Sequence, residues 1–510
     1  MGLIKKINNN YFLSSFFWST LSKVFNAILG FVSVPLLIGY YGKADYGLLS
    51  IATACNGYMQ LMDLGMNTGA VKFFSQWEAE GKRELIHRVS RTNETFYLII
   101  SVINILGLLA IAIWGENLFA ITHEQFIQLK YCFFILALFS CISWLTTVYT
   151  QLLIAYKQLA FTMKMQTVMV LLKGLLLGSV FIFGLSLTEY FFYLTFFVSL
   201  LIIPYIIKCK INGIMDTLKP AAYWSDFKVV FNFSLAMFAL SLFQVTATQS
   251  RPIILSIFAY KGAESVADYR IVEVIPQFII TVCGTFTAIF LPKSSEMMIK
   301  STNNEIQQYI VNWTSKTTTL VCTLCIPFIL GAKSILSAYV GDSYEYLIIW
   351  LQIWCFFLIV QMHSTPAFSF VLANGKTKVL VITTAIACVI SMLINAILCK
   401  VYPVGSAVLG YAVYMLCLIG VYYGYLYKKY LHLRRITIFK SFFKPFILAI
   451  FCGVAVYLIP FDIIDSSIIN IRVLNLIRFA IRTCTWMGLY FSMLLLFKVF
   501  NLSEFKNMNK

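Results

Sequence analysis

The chain has 510 residues, of which 60% are hydrophobic and only 12% charged, roughly half the usual share. Its mean hydropathy is +0.83. A soluble core of that size needs a polar shell that 21 acids and 39 bases cannot supply. A soluble enzyme, a disordered regulator and a secreted scaffold are therefore excluded, and a polytopic membrane protein is expected. The formal charge of +18 would point to nucleic acid in a soluble chain. Here membrane topology accounts for it.

The chain opens MGLIKKINNN and then runs apolar for almost thirty residues. That is too long for a signal peptide, and no small-residue cleavage site follows. Lys6 breaks the myristoylation pattern. An uncleaved first span is expected. A span needs about 20 apolar residues, and fourteen runs qualify. They are 11–39, 46–71, 94–114, 131–154, 165–186, 189–207, 229–257, 265–291, 317–339, 346–372, 378–399, 404–427, 445–460 and 473–499. Their length and lack of period-two alternation argue for helices, not a β-barrel.

With the N-terminus in the cytoplasm, inner segments carry more than three times the Lys and Arg of outer ones. Lys82, Arg83, Arg88 and Arg91 follow the second span, and Lys428, Lys429, Arg434, Arg435, Lys440 and Lys444 follow the twelfth. This bias predicts both termini inside. No large outer loop is found, and no G-x-x-x-x-G-K-[ST] phosphate loop. The four histidines are scattered, and most of the 13 cysteines lie in apolar runs, Cys322 and Cys325 included. They read as small core residues, with no metal or redox role.

Ala44-Asp45-Tyr46-Gly47 opens the second span and Ala267-Asp268-Tyr269-Arg270 the eighth. Ala155-Tyr156-Lys157 follows the fourth, and Ala373-Asn374-Gly375-Lys376 the tenth. Both pairs are six spans apart. They mark a parallel repeat of two six-helix lobes, 1–222 and 223–432, with a helix pair over 433–510. The expected fold is thus all-α, with about 14 transmembrane helices in two pseudo-symmetric lobes plus two C-terminal helices.

The first two helices of each lobe carry polar stripes at helical spacing. The first has Ser15, Ser19, Ser22, Asn26, Gly30 and Ser33, with Lys23 beside them. The second has Thr53, Asn56, Gln60, Asp63 and Asn67. The seventh has Ser241, Gln244, Thr248 and Arg251, and the eighth Arg270, Glu273, Gln277 and Thr281. A single serine such as Ser15 reads as helix–helix glue. Four such stripes predict a shared wet cavity. Its lining would include Asn26, Asn56, Gln60, Gln244, Thr248 and Gln277.

Charges inside spans are costly and need a reason. Lys23, Lys173, Arg251 and Arg270 are the candidate substrate-binding cations, and their excess points to an anionic, phosphate-bearing cargo. Asp63 and Glu273 are the candidate coupling acids. The plainer reading of Glu273 is an ion pair with Arg270 one turn away, and of Asp63 a salt bridge or cap. Arg482 reads as an interfacial anchor. Pro35, Pro204, Pro276, Pro327 and Pro366 are expected to kink their spans. Gly65, Gly69 and Gly284 are expected to permit bending or close packing.

On the stretches VPLLIGYYGKADYGLLSIATACNGYMQLMDLGMNTGAVKFF (34–74) and SRPIILSIFAYKGAESVADYRIVEVIPQF (250–278), the chain resembles bacterial lipid-linked oligosaccharide flippases of the O-antigen and capsule type. These form the polysaccharide transporter family of the MOP (multidrug/oligosaccharidyl-lipid/polysaccharide) exporter superfamily. The resemblance implies a cavity lined by helices 1, 2, 7 and 8. It implies alternating access that carries an undecaprenyl-diphosphate-linked glycan to the outer leaflet of the bacterial inner membrane. It implies partners among membrane lipids and other polysaccharide-assembly proteins, no cofactor, and coupling to H+ or Na+. Lys23, Arg251 and Arg270, joined by Lys173, would contact diphosphate or acidic sugar. Where many relatives carry an acid, this chain has Gln249-Ser250-Arg251, which argues against an acid-based ion site in the seventh span.

No bond is made or broken in such a cycle, so no enzyme is expected. A polymerase or ligase would need a sizeable outer loop. The alternatives are a peptidoglycan-precursor flippase and a multidrug or cation antiporter of the same superfamily. The latter usually has twelve spans and a cavity suited to cations.

Overall fold

The computed structural model describes residues 11–215, 219–287, 290–373, 378–429, 433–459 and 470–497, with Leu431 and Val499. Among them every regular element is helical. Among the described residues, eleven helices are long and apolar enough to cross a membrane. The other expected spans fall on helices too: 46–71 on Lys43–Met59 and Met66–Ala79, 229–257 on Trp224–Phe258, and 265–291 on Gly262–Thr287 as far as its residues are described.

The chain forms two compact units, Met1–Arg270 with Ala396–Pro403, and Ile271–Asn395 with Val404–Lys510. The first holds α1 (Tyr11–Tyr41), α2 (Lys43–Met59), α3 (Met66–Ala79), α4 (Arg83–Trp114), α5 (His123–Ala155), α6 (Leu159–Phe183), α7 (Leu187–Ser199), α8 (Ile202–Ile211) and α9 (Trp224–Phe258). The helix α10 (Gly262–Thr287) begins in this unit. In it α4 packs along α5, and α1 along α6. α9 packs on both α2 and α3.

Helix starts follow the sequence. Thr122 with Gln125, and Ser186 with Glu189, form capping boxes in which side chain and backbone exchange hydrogen bonds. Glycines set the close contacts. A Cβ at Gly47 would lie 2.0 Å from the Ala263 carbonyl, and one at Gly69 1.9 Å from Ser234 Oγ. Apolar side chains such as Leu106, Ile182 and Phe183 are left on the outside, as hydrocarbon requires. At one end Phe74, Trp77, Tyr149, Tyr205 and Phe227 close the unit's core.

The second span departs from the expected single helix. α2 ends in a 3-10 turn, Gln60–Asp63, and Leu64 and Gly65 then take left-handed backbone at φ 50° and 75°. Asp63 Oδ2 accepts the Asn67 amide at 3.1 Å and so starts α3. A Cβ at Gly65 would lie 2.4 Å from the Ser234 carbonyl. Gly65 and Gly69 thus serve a turn and close packing.

The second unit holds α11 (Phe290–Lys300), α12 (Asn303–Leu330), α13 (Ala332–Tyr339), α14 (Ile348–Met362), α15 (Thr365–Ala373), most of α16 (Lys378–Leu398) and of α17 (Pro403–Val421), α18 (Arg435–Tyr457) and α19 (Ile471–Leu496). α12 packs on α14 and α18, and α19 packs on α13 and α18. Gly405 lets Trp350 approach, since a Cβ there would meet the indole at 2.4 Å. α17 runs through a π turn, Tyr422–Leu426, whose carbonyls at Tyr423 and Gly424 are met by Arg435 Nη1 at 2.8 and 3.1 Å. The prolines divide into two groups. Pro35, Pro276 and Pro327 lie inside helices. Pro204 and Pro366 lie in the first turn of α8 and α15, so these spans break into two helices where a kink was expected. Of the second repeat mark, Asn374-Gly375-Lys376 lie outside the described residues.

Candidate functional site

α2 carries its polar residues on one face, and in the first unit that face opens on a cavity of about 260 Å³. Thr53, Asn56 and Gln60 line it from α2, and Lys173 from α6. Asn104 of α4, Ser140 and Ser143 of α5 and Thr195 of α7 complete the polar wall, with Trp144 beside them. Lys173 is the only charged residue among the described lining side chains, and it is half-buried. Ser140 Oγ donates to Asn104 Oδ1 at 2.8 Å, and Asn104 Nδ2 donates to Met59 Sδ at 3.1 Å. The Asn104 amide is thereby fixed. The wall so presents an ammonium among amides and hydroxyls, which suits an anion bearing many hydroxyls.

Below this cavity the 3-10 turn places Asp63 against α4. Tyr97 donates its hydroxyl to Asp63 Oδ1 in a short hydrogen bond. Gln151 Nε2 donates to the Tyr97 oxygen at 2.8 Å, and Asn93 Nδ2 to Gln151 Oε1 at 2.7 Å. Asp63 thus ends a buried polar chain across α4 and α5. Its other oxygen caps α3. One helical turn away, buried Glu94 accepts the Tyr149 hydroxyl at 3.2 Å and the Lys219 amide at 3.1 Å.

The structure therefore brings three of the predicted residues into one place, Asn56, Gln60 and Lys173. The others do not line this cavity. Lys23 and Asn26 are exposed on α1. On α9, Gln244 and Thr248 are exposed and Arg251 is buried, with 4% of its surface accessible. On α10, Arg270 is half-buried, Glu273 is buried and Gln277 is exposed. The side chain of Ser241 lies outside those described.

Sequence reasoning missed the polar face of α4, which supplies Asn104 to the cavity and Asn93 and Tyr97 to the chain below it. Asn93, Tyr97, Ser101 and Asn104 recur on α4 at steps of four, four and three, the same signal that exposed the stripe of α2. All but Tyr97 are polar residues that a count of charges passes over. Arg482 was read as an interfacial anchor. In the structure its Nη1 donates to the Leu330 carbonyl at 3.1 Å, where α12 ends.

The family model described as "Polysaccharide biosynthesis protein" matches residues 12–298. No curated protein matches the sequence. Among solved structures the chain is similar to the lipid II flippase MurJ in an inward closed conformation, with a TM-score of 0.67 and 14% identity, over 94% of this chain and 99% of that one. It is similar to an inward-facing multidrug resistance MATE family transporter of the MOP superfamily, with a TM-score of 0.62 and 14% identity, over 84% and 96%. A third is the MATE multidrug transporter DinF-BH, with a TM-score of 0.60 and 16% identity, over 80% and 94%. These structures share the chain's fold, and with eleven candidate spans among the described residues it is a multi-pass membrane protein. The likeness is to flippases and transporters, not to enzymes.

Proposed function

The chain belongs to the polysaccharide biosynthesis protein family, whose model spans more than half of it, and from that premise we propose that it flips lipid-linked oligosaccharide across the bacterial inner membrane. The cargo is an undecaprenyl-diphosphate-linked repeat unit of the O-antigen or capsule type, carried from the cytoplasmic to the outer leaflet by alternating access. Both termini lie in the cytoplasm, and the lobes are 1–222 and 223–432 with the helix pair 433–510.

The observation that carries the reading is the polar cavity with Lys173 as its charged member. A diphosphate with its sugars cannot cross hydrocarbon bare. A wall of amides and hydroxyls replaces water around the sugar, and an ammonium offsets phosphate charge. The polyprenyl tail stays in lipid. In this reading Lys23, Arg251 and Arg270 extend the cationic path as the lobes rock, with Asn26, Gln244, Thr248 and Gln277 beside them. Asp63 and Glu273 are its candidate sites for H+ or Na+.

The test is deletion of the gene in its host. The reading expects loss of surface glycan, with the lipid-linked repeat unit trapped on the cytoplasmic side and both reversed by the wild-type gene. Unchanged surface glycan would refute it. A second reading, a flippase for the peptidoglycan precursor, is favoured by the near-complete overlay on the lipid II flippase. It predicts arrest of wall synthesis on deletion, with surface polysaccharide export itself intact.

A further inference from the structure

The segment that leads from α8 to α9 joins the two proposed lobes, and its backbone is fastened to α4. Lys219 donates its amide to Glu94 Oε2 at 3.1 Å, and its carbonyl accepts Arg91 Nε at 2.7 Å. Ala221 donates its amide to the Arg91 carbonyl at 3.1 Å, and its own carbonyl accepts the Thr95 hydroxyl at 2.6 Å. Tyr223 donates its amide to Thr92 Oγ1 at 2.9 Å. Every second residue is thus held by one stretch of α4, Arg91 to Thr95. Just beyond, Arg88 Nε pairs with Asp226 Oδ2 at 3.1 Å, and the rings of Phe96 and Phe227 lie 5.6 Å apart. The segment is also held where it leaves α8. Ile214 donates its amide to the Cys209 carbonyl at 2.9 Å, and Ile214 and Met215 are buried.

At the centre is Glu94, a carboxylate with none of its surface accessible. Its two oxygens have different partners. Oε1 accepts the Tyr149 hydroxyl of α5 at 3.2 Å, and Oε2 accepts the Lys219 amide. A buried carboxylate is tolerable only while such donors stay in place. Lifting the segment off α4 would strip Glu94 of one of the two, so the fastened state is the favoured one.

We propose that the connection between the lobes is a fixed strap, clasped to α4 by Glu94 throughout the transport cycle, so that movement between the lobes is taken up beyond Tyr223, along α9. Glu94 is then a positioning residue. It ties the strap to α4 and α5, the helices that supply Asn104, Ser140 and Ser143 to the cavity wall. The role in a cycle rests on the alternating-access reading above, whereas the clasp itself does not.

The test is hydrogen exchange of the full chain in lipid nanodiscs, read residue by residue. The amides of Lys219, Ala221 and Tyr223 should exchange at least about tenfold more slowly than that of exposed Ala222, which lies between two of them. Thr92→Val removes the acceptor of Tyr223 and should speed exchange there about tenfold while sparing Lys219. Glu94→Ala should do the reverse. Glu94→Gln should restore protection, because its amide can still accept from Lys219 and donate to Tyr149. The wild-type pattern needs no variant and covers the case that a substitution fails to fold. For the cycle, Thr95→Cys and Ala221→Cys are joined by a disulfide, and flipping in liposomes is compared before and after reduction. A fixed strap predicts the same rate in both. Exchange at Lys219, Ala221 and Tyr223 as fast as at Ala222 would overturn the clasp. Flipping arrested by the disulfide and recovered on reduction would overturn the fixed strap. The exchange pattern needs no cargo, so it decides the clasp even where the reduced chain flips nothing, a result that counts against the flippase reading instead.

Discussion

Lys43 Nζ lies 2.8 Å from Asp268 Oδ2. This ion pair joins the two copies of the Ala-Asp-Tyr mark, since Lys43 precedes Ala44-Asp45-Tyr46 and Asp268 is the centre of Ala267-Asp268-Tyr269. Beside it Gly47 presses on the Ala263 backbone. The start of α2 and the start of α10 are thereby held together within the first unit. The carboxylate is largely buried and the ammonium is partly so, which places the pair between weak surface bridges and costly buried ones.

Breaking that pair should cost about 1–2 kcal/mol, between the surface and buried values. Lys43→Ala and Asp268→Ala are each expected to lower the melting temperature in detergent. The exchange Lys43→Asp with Asp268→Lys should recover part of the loss. A double-mutant cycle with no coupling would contradict this.

Gly69→Ala places a methyl against Ser234, at a distance no Cβ tolerates. Either the Ser234 hydroxyl turns away from its bond to the Val230 carbonyl or the contact between α3 and α9 opens, at a cost of about 1–3 kcal/mol for overpacking. Reduced abundance in the membrane and a lower melting temperature are expected. Ser234→Gly in the same chain should relieve both, since it removes the clashing hydroxyl. The control Gly30→Ala meets open space and should change little.

Asp63→Ala removes the acceptor of Tyr97 and the cap of α3 together. A lost cap is worth about 1 kcal/mol, and the Tyr97 hydroxyl left buried without its acceptor adds about 1–3 kcal/mol. Tyr97→Phe should cost less, because Asp63 keeps its bond from Asn67. If the two substitutions are additive by thermal shift, the polar chain from Asn93 to Asp63 does not act as a unit.

Much of this architecture was legible in the sequence because hydrocarbon leaves few choices. Spans read as apolar runs, and the stripe Thr53, Asn56, Gln60 read as one face, since helical period alone determines it. The break after Gln60 was less legible. A left-handed residue is usually glycine or asparagine, and here it is Leu64, held by contacts of the next residue with α9. The placing of Lys173 beside α2 was not legible either. It depends on how α6 and α7 pack around α5, which no period records. Arg482 shows the same limit, because its partner is a backbone carbonyl 152 residues earlier. Composition gives no sign of such an acceptor.

Lys173 should matter through its charge. Lys173→Met keeps the size of the side chain and removes the ammonium, so flipping should fall about tenfold or more with the protein still folded, as for a lost charge-assisted hydrogen bond. Lys173→Arg should retain most activity. Lys164→Met, on the same helix but outside the cavity lining, is the matched control and should leave the rate unchanged.

The most direct measurement uses liposomes holding the purified chain and a polyprenyl-diphosphate-linked oligosaccharide from its host. Exposure of the glycan at the far leaflet is followed over time, with protein-free liposomes as the baseline and an imposed H+ or Na+ gradient in separate arms. The account predicts protein-dependent exposure, sharply slowed by Lys173→Met and slowed also by Lys23→Ala or Arg251→Ala. Exposure no faster than in protein-free liposomes under every gradient, with efflux of a cationic drug from the same liposomes, would contradict it.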